Sequence, residues 1–353
     1  MKTARGILFL ILIAVLLSPL PAATREAAGP GGLYSGRVRV ADQGEAARAE
    51  GFRAALGQVL IKLSGQRQVV ADPRLAPLQD SAAELVEEYR YLAPEPLPGA
   101  PAAADPAPGS LLVVEFSAPA LDAELRRLEV PRWPAERGPL LLWILAPDGE
   151  RGGLAESARE RLAERGVPVL EPLWDLQDTL ALGAAGAGSA AARIAAAGAR
   201  YGAPHWLLLE PRIEAAAVEG DWQLGGAGPA ASGSPRAATR EDWIRSAVDA
   251  AVDALAAAQS YRPGDHVLTQ RLRIEGIQSY PTYRAVVEAL EGLDMVRGVD
   301  VEAMSAGQVT FALRLDGEAE LLWRALAGDS RFTAVAGVGD GGDALRLYLW
   351  REP

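Results

Sequence analysis

Residues 267–315, VLTQRLRIEGIQSYPTYRAVVEALEGLDMVRGVDVEAMSAGQVTFALRL, show the clearest structural pattern in the chain. Segments in which apolar and polar residues alternate flank a segment in which apolar residues recur every three or four positions. The first pattern is typical of half-buried strands and the second of an amphipathic helix. With a helix at 321–326 and a last strand, the order becomes β-α-β-β-α-β, the split ferredoxin-like arrangement. We predict strands at 267–274, 299–303, 309–315 and around 345–349. Residues 262–353 are expected to fold alone as this ferredoxin-like module.

The alternation within these strands also predicts a core. The side of the sheet beneath the two helices is expected to carry Leu272, Ile274, Phe311, Leu313, Leu347 and Leu349. Val286, Leu290 and Leu322 line the matching helix faces. Thr310 falls on the other side of the sheet, so Thr310→Asp is expected to be milder than Leu313→Asp if that side is open to solvent.

The middle of the chain, residues 138–260, is predicted to be an α/β module. Residues 140–145 form an unbroken apolar run around Trp143, which is typical of a strand buried on both faces. Helices and strands then alternate, which favours a parallel or mixed sheet. We expect a hairpin around Trp222 and a Gly/Ala/Ser/Pro loop at 225–235. The other predicted elements are a helix through Leu154, Ala158 and Leu162 that ends at Gly166, a strand at 167–170, a helix at 190–200, a strand at 206–209, and a helix with Ile244, Val248, Ala251, Val252 and Leu255.

Residues 33–130 are predicted to form a small amino-terminal α+β module. Its first helix carries Phe52, Leu56, Val59, Leu60 and Leu63 and should end at Gly65, because glycine is the preferred residue after the last helical turn. The proline-rich stretch 94–108 is too interrupted to pack and is expected to be a solvated loop. The other predicted elements are strands at 33–40 and 111–116 and helices at 81–89 and 121–128. The whole is therefore an α+β and α/β multidomain protein.

Residues 1–23 have the three parts of a secretory signal peptide. Lys2 and Arg5 precede an apolar run at 7–17, and helix breakers and small residues follow it. As a helix, eleven residues reach about 16 Å, against about 30 Å of bilayer hydrocarbon. We expect cleavage after Ala22 or Ala23 and a periplasmic protein; the alternative is an uncleaved anchor. The chain has no cysteine, so a thiol-linked lipid anchor is not expected.

The charge of the chain argues against nucleic acid as a partner. The formal charge is −11, and removal of Lys2 and Arg5 takes it to −13. An acidic surface repels phosphate backbones and anionic lipid. No stretch beyond the signal peptide is long and apolar enough to be a membrane helix.

Residues that could carry hydrolytic or metal chemistry are few. His205 and His266, the only histidines, have no local metal-ligand pattern, so both are interpreted as structural. Lys62 and Ser64 lack the Ser-x-x-Lys spacing, and Lys62 is interpreted as a cation in the last helical turn, facing the negative end of the dipole. Asp175 with Asp178, and Glu87 with Glu88, are interpreted as surface acids rather than a glycosidase pair.

One motif could indicate a cofactor. Residues 186–191 fit G-x-G-x-x-A, open a predicted helix and precede a strand that ends near Glu210. The preceding residues 178–182 make a poor strand, and chains rich in alanine and glycine produce such a pattern by chance. We therefore assign no cofactor-binding, catalytic or metal-binding residue from the sequence.

Several short motifs resemble a known family in their order along the chain. They are Tyr34 to Val40 with Ala47-Arg48-Ala49, residues 59–67, Pro172-Leu173-Trp174-Asp175-Leu176, Arg200-Tyr201-Gly202-Ala203 and residues 272–277. Together they resemble a proteobacterial exported family, domain of unknown function 2066, over nearly the whole mature chain. That resemblance implies an exported protein of this architecture and no particular activity.

The middle module also resembles the small α/β domain in the amino-terminal region of the Tol-system translocation protein and in lipoprotein activators of cell-wall synthases. Those are interaction domains. The loop 225–235 departs from them, which leaves any shared interface open.

From the sequence we expect a non-enzymatic periplasmic scaffold or accessory protein that binds another envelope protein. The alternative is an envelope hydrolase or nucleotide-binding enzyme with a site assembled by the fold. A cleft in which His205, Glu210 or Asp175 converge would favour the enzyme, and a prominent groove or open sheet edge would favour binding.

Overall fold

The structure of the chain is a computed structural model. It describes residues 30–93, 109–183, 189–214, 217–264, 267–335 and 345–351. The expected signal peptide, the proline-rich stretch, residues 186–188 of the glycine motif and His266 lie outside these residues.

The described residues form a mixed α/β protein with three separate sheets, which is consistent with a multidomain α+β organisation. The helices are α1 Pro30–Leu33, α2 Glu45–Ser64, α3 Ala76–Asp80, α4 Ala118–Arg127, α5 Asp148–Glu164, α6 Leu176–Gly183, α7 Ala190–Gly198, α8 Arg240–Gln259, α9 Tyr280–Glu291 and α10 Ala319–Gly328. The strands are β1 Ser35–Val40, β2 Val86–Leu92, β3 Ser110–Phe116, β4 Leu140–Ile144, β5 Val169–Leu170, β6 His205–Ile213, β7 Val218–Gly226, β8 Ala231–Gly233, β9 Arg236–Ala237, β10 Val267–Glu275, β11 Val296–Ser305, β12 Gln308–Asp316, β13 Phe332–Ala334 and β14 Arg346–Trp350. Within the described ranges, we find no helix with the length and apolar character that crossing a bilayer requires.

The first sheet is antiparallel, with β3 between β1 and β2, and α2 packs across it. The expected end of α2 is confirmed: Gly65 has φ 70° and its N–H bonds to the carbonyl of Ile61. A Cβ at Gly65 would lie 2.4 Å from the Cβ of Ala256, so the close approach of α8 also requires glycine there.

The predicted helix at 81–89 is wrong. Ala82–Leu85 makes a single 3-10 turn, and the residues after it form strand β2. Val86, Tyr89 and Tyr91 favour an extended chain, and β3 supplies the backbone partners that a strand needs. Long-range pairing therefore outweighs the helical preference of Glu87 and Glu88.

The middle sheet has the order β5-β4-β6-β7-β8, with β9 also pairing with β7. β4 is parallel to β5 and to β6, and all five of its residues are buried, as the sequence predicts. Helices α5 and α8 cover one face, and α7 covers the other. The expected hairpin is present as β6 and β7, with Trp222 on β7 opposite Leu209, but part of the segment predicted as a loop forms the short strand β8.

The third sheet has the order β11-β12-β10-β14-β13, and α9 and α10 cover one face. β10 is antiparallel to β12 and parallel to β14. Leu272, Ile274, Phe311 and Leu313 are buried as expected.

The expected register of the last strand is wrong. Tyr348 and Trp350 are buried, whereas Leu349 is 37% exposed. Both faces of β14 are apolar in sequence, and the larger rings fill the core, where they pack against Phe332. Thr310 is also buried, at 6% exposure, and its hydroxyl accepts a hydrogen bond from Arg273. The sheet is therefore not open to solvent at Thr310, and Thr310→Asp is no longer expected to be milder than Leu313→Asp.

Candidate functional site

The imidazole of His205 accepts a hydrogen bond in the folded protein. The indole Nε1 of Trp133 donates to Oε1 of Gln259 at 3.0 Å. Because an indole N–H can only donate, this contact fixes which end of the Gln259 side chain is the amide oxygen. The amide nitrogen of Gln259 therefore faces Nε2 of His205, at 3.0 Å, and that ring nitrogen accepts. Burial, together with the positive charge of Arg324, lowers the pKa of His205. A neutral, structural histidine fits this arrangement.

Asp175 and Asp178 are held by cations rather than poised as an acid and a base. Arg200 donates to both oxygens of Asp175 at 2.9 Å and lies 2.8 Å from Oδ2 of Asp178. The hydroxyl of Tyr201 donates to the same oxygen of Asp178 at 2.7 Å. Hydrogen bonds from Arg200 hold the pKa of Asp175 below its usual value. The guanidinium of Arg200 thus contacts both carboxylates.

Glu210 lies on β6 with His205 but on the opposite face of the sheet. His205 shares its face with Leu207 and Leu209, and Glu210 shares the other with Leu208. Burial raises the pKa of Glu210, with a smaller contribution from the neighbouring Asp221. The structure does not bring His205 and Glu210 into one cleft.

Lys62 and Ser64 are each bonded to the backbone. The ammonium of Lys62 donates to the carbonyls of Gly32 and Ser35, at 3.1 and 2.9 Å, and so ties α2 to the start of β1. It lies in the last turn as predicted, but these carbonyls are outside the helix. Burial, aided by Arg37, lowers the pKa of Lys62 to about 8. Ser64 donates to the carbonyl of Leu60 at 2.7 Å, so its hydroxyl has a structural partner.

The glycine motif is described only from Ser189 onward. The predicted helix is confirmed at α7, and the Ser189 hydroxyl caps it by accepting from the N–H of Ala192 at 3.3 Å. Among the described residues, no group of histidine, cysteine and carboxylate side chains is suited to a metal ion.

A buried ionic cluster joins the residues that follow α2 to helices α5 and α8. Arg165 is 1% exposed and donates to Asp249 at 2.8 Å and to Asp253 at 2.7 Å. Arg161 donates to both oxygens of Asp249, at 3.0 and 2.7 Å, and Arg67 reaches Asp253 at 2.7 Å. Burial opposes the charged form of Asp249, but hydrogen bonds from Arg161 and Arg165 hold its pKa below its usual value. The cluster is a structural tie whose members lie far apart in sequence.

A cleft of about 180 Å³ lies between α4 and the residues that follow α9. Three of the carboxylates that line it have partners within the protein. Asp122 pairs with Arg132 at 2.9 Å, and Asp316 pairs with Arg297 at 2.6 Å. Asp294 accepts from the N–H of Ala135 at 2.7 Å. These groups hold the segments around the cleft together.

One group of exposed apolar side chains comprises Leu173, Leu176 and Leu180, which we call the leucine surface. These side chains are 74%, 73% and 64% exposed, among the highest values for large apolar residues in the described chain. Single exposed leucines are ordinary, whereas three on one short segment present more apolar surface to solvent than single residues do. Sequence patterning missed them, because apolar residues three and four apart predict a buried helix face.

The segment that leads from Leu173 into α6 is held in a strained conformation. Trp174 has φ 53°, in the left-handed region that a bulky residue adopts at a cost of about 1–3 kcal/mol. Its N–H donates to Asp178 at 3.0 Å, and its ring packs edge-on against Trp143 at 5.3 Å. The guanidinium of Arg151 lies over the same ring, 4.1 Å from its centre. The N–H of Leu173 donates to the Tyr201 hydroxyl at 2.9 Å.

Comparison with known proteins corrects the family resemblance drawn from the sequence. Residues 27–134 match the model of a different family, Domain of unknown function (DUF8605), which is distinct from domain of unknown function 2066. No curated protein is detectably similar to the chain. Among solved structures, selenomethionine-substituted allophanate hydrolase from Kluyveromyces lactis is 9% identical and covers 85% of this chain and 71% of its own, with a TM-score of 0.19. A superposition that poor does not bear on the fold. The comparisons therefore establish one likeness, that of residues 27–134 to DUF8605.

Proposed function

We propose that this protein is a periplasmic, non-enzymatic scaffold or accessory protein that binds another protein of the bacterial envelope. The leucine surface carries the proposal, because its three exposed leucines lie on α6 and on the segment before it, where the backbone strain at Trp174 is held by a set of specific contacts. Strained backbone concentrates at binding and active sites. The signal-like segment at residues 1–23 supports the location.

The state of the polar residues supports binding over catalysis. His205 accepts a hydrogen bond from Gln259, and Arg200 neutralises Asp175 and Asp178. A general acid or base needs a proton that it can exchange with a substrate. Each of these groups is instead engaged in holding the fold.

We propose further that the third module is ferredoxin-like and that the middle module is related to the small α/β domain of the Tol-system protein. The order β11-β12-β10-β14 supports the first, with β13 as an added edge strand. The parallel pairing of β4 with β5 and β6 supports the second. The limits 33–130, 138–260 and 262–353 are part of the same proposal.

Site-specific crosslinking tests the function. A photoreactive residue replaces Leu176 in one strain and Met304, which is 64% exposed on β11, in a matched control. After illumination of intact cells, we expect a discrete adduct from position 176 and none from 304. Equal labelling at both positions, or none at 176, would refute the proposal.

The location has its own test. Amino-terminal sequencing of protein from the periplasmic fraction should begin at Ala23 or Thr24. Protein that keeps Met1 would contradict export by cleavage.

A further inference from the structure

Helix α6 is apolar on two sides. Ala181 and Leu182 pack inward against the cluster around Trp143, whereas Leu176 and Leu180 face solvent. A surface helix normally buries one apolar stripe, and a helix with apolar residues all round is covered on both sides. The second side of α6 therefore has the character of a contact surface without its partner.

The geometry of the exposed side is a short ridge. Leu176 and Leu180 lie one turn apart, about 6 Å along the helix axis, and Leu173 extends the ridge beyond the helix start. Residues four apart form the ridges by which helices most often pack against each other. The contacts of Trp174 with Asp178, Trp143 and Arg151 fix this ridge in advance. Because the segment is already ordered, binding a partner costs it little conformational entropy.

The exposed area of the ridge distinguishes between two possible binding partners, a second copy of the chain and a single helix. The three side chains expose about the surface of two fully exposed leucines. A stable dimer of folded proteins buries about 800 Å² on each side, well beyond what this ridge supplies. A single helix with apolar residues at i, i+3, i+4 and i+7 needs only such a stripe. The ridge therefore fits one helix better than a second copy of the chain.

The negative charge of the protein indicates the charge expected at the flanks of that helix. The mature chain carries a formal charge of −13, which attracts basic partners and slows the approach of acidic ones. We propose that the leucine surface binds one amphipathic helix with basic flanks, contributed by a partner protein. This inference rests on the proposed function and specifies the partner.

Synthetic helices test this inference in solution. The probes are three labelled peptides of about 18 residues, long enough to form helix: a leucine–lysine peptide with one apolar face, the same composition scrambled, and a leucine–glutamate peptide with one apolar face. Fluorescence anisotropy with the mature protein should show at least about tenfold tighter binding of the first than of the other two.

Variants then locate the binding. Leu176→Ser/Leu180→Ser should weaken the leucine–lysine peptide at least about tenfold, while Met304→Ser leaves it unchanged. Both variants alter exposed side chains, and an unchanged thermal transition verifies their fold. Binding that is insensitive to the double variant, or equal for the scrambled or the acidic peptide, overturns the inference.

The two proposals fail separately. An adduct at position 176 in cells, without leucine-dependent binding of the lysine peptide, is consistent with the proposed function and refutes the inference that the partner contributes a basic amphipathic helix. Sedimentation that shows a wild-type dimer and a monomeric Leu176→Ser/Leu180→Ser variant also overturns the helix, since it makes a second copy the occupant.

Discussion

The buried pair of Arg165 and Asp249 gives a quantitative test of the ionic cluster between α5 and α8. Three proteins are compared with the wild type: Asp249→Leu, Arg165→Met, and the double variant. Both residues are at most 2% exposed, and their hydrogen bond is 2.8 Å long. Either single change leaves the other charge buried, whereas the double change leaves neither.

The expected magnitudes follow from the remaining partners. Asp249→Leu leaves the guanidinium of Arg165 with one carboxylate, that of Asp253, and should cost about 3–5 kcal/mol of the free energy of unfolding. Arg165→Met leaves Asp249 bound by Arg161 through two hydrogen bonds, so it should cost about 1–3 kcal/mol. The double variant should be about 1–3 kcal/mol more stable than the sum predicts.

Urea unfolding followed by tryptophan fluorescence measures these differences. The exposed pair of Arg127 and Glu124 is the control, and Glu124→Ala should cost at most about 1 kcal/mol. Single effects that add to within about 0.5 kcal/mol in the double variant would refute the coupling. So would an Asp249→Leu cost no larger than that of Glu124→Ala.

Three further outcomes are expected. Burial lowers the pKa of His205 in the folded protein, so the unfolded chain takes up the proton first as the pH falls below about 6.5. The wild type should therefore lose more stability between pH 7.5 and 5.5 than His205→Gln does. Equal losses in urea midpoint would contradict this. Leu313→Asp should remove the unfolding transition of the third module or cost several kcal/mol, whereas Leu349→Asp should cost at most about 1 kcal/mol, and similar melting temperatures would show that the register is wrong. Gly65→Ala should cost more than about 1 kcal/mol, since φ is 70° and the added Cβ meets Ala256, and an unchanged urea midpoint would contradict it.

Local periodicity predicts much of the fold and little of the candidate site. The buried run of β4 and the glycine end of α2 depend on neighbours within a few residues, so both are correct. Strand β2 depends on pairing with β3, so local pattern does not predict that this segment is a strand. Strand β14 has apolar residues on both faces, so local pattern does not predict which face is buried.

The polar and exposed features were missed for similar reasons. Arg165 and Asp249 become partners only when α5 packs against α8. The exposure of Leu176 and Leu180 contradicts the rule that apolar spacing marks a core. Sequence identifies an apolar helix face, but only the fold shows whether the protein itself covers that face.

The segments that enter and leave the middle module meet at a single reciprocal backbone pair. The N–H of Arg132 donates to the carbonyl of Tyr261 at 2.7 Å, and the N–H of Tyr261 donates to that of Arg132 at 2.9 Å. Everything between them therefore leaves and returns through neighbouring points, as in an inserted domain. The segment between them is nonetheless bonded to the chain before it, because Arg67 donates to Asp253 and Arg165 donates to the carbonyl of Gly65.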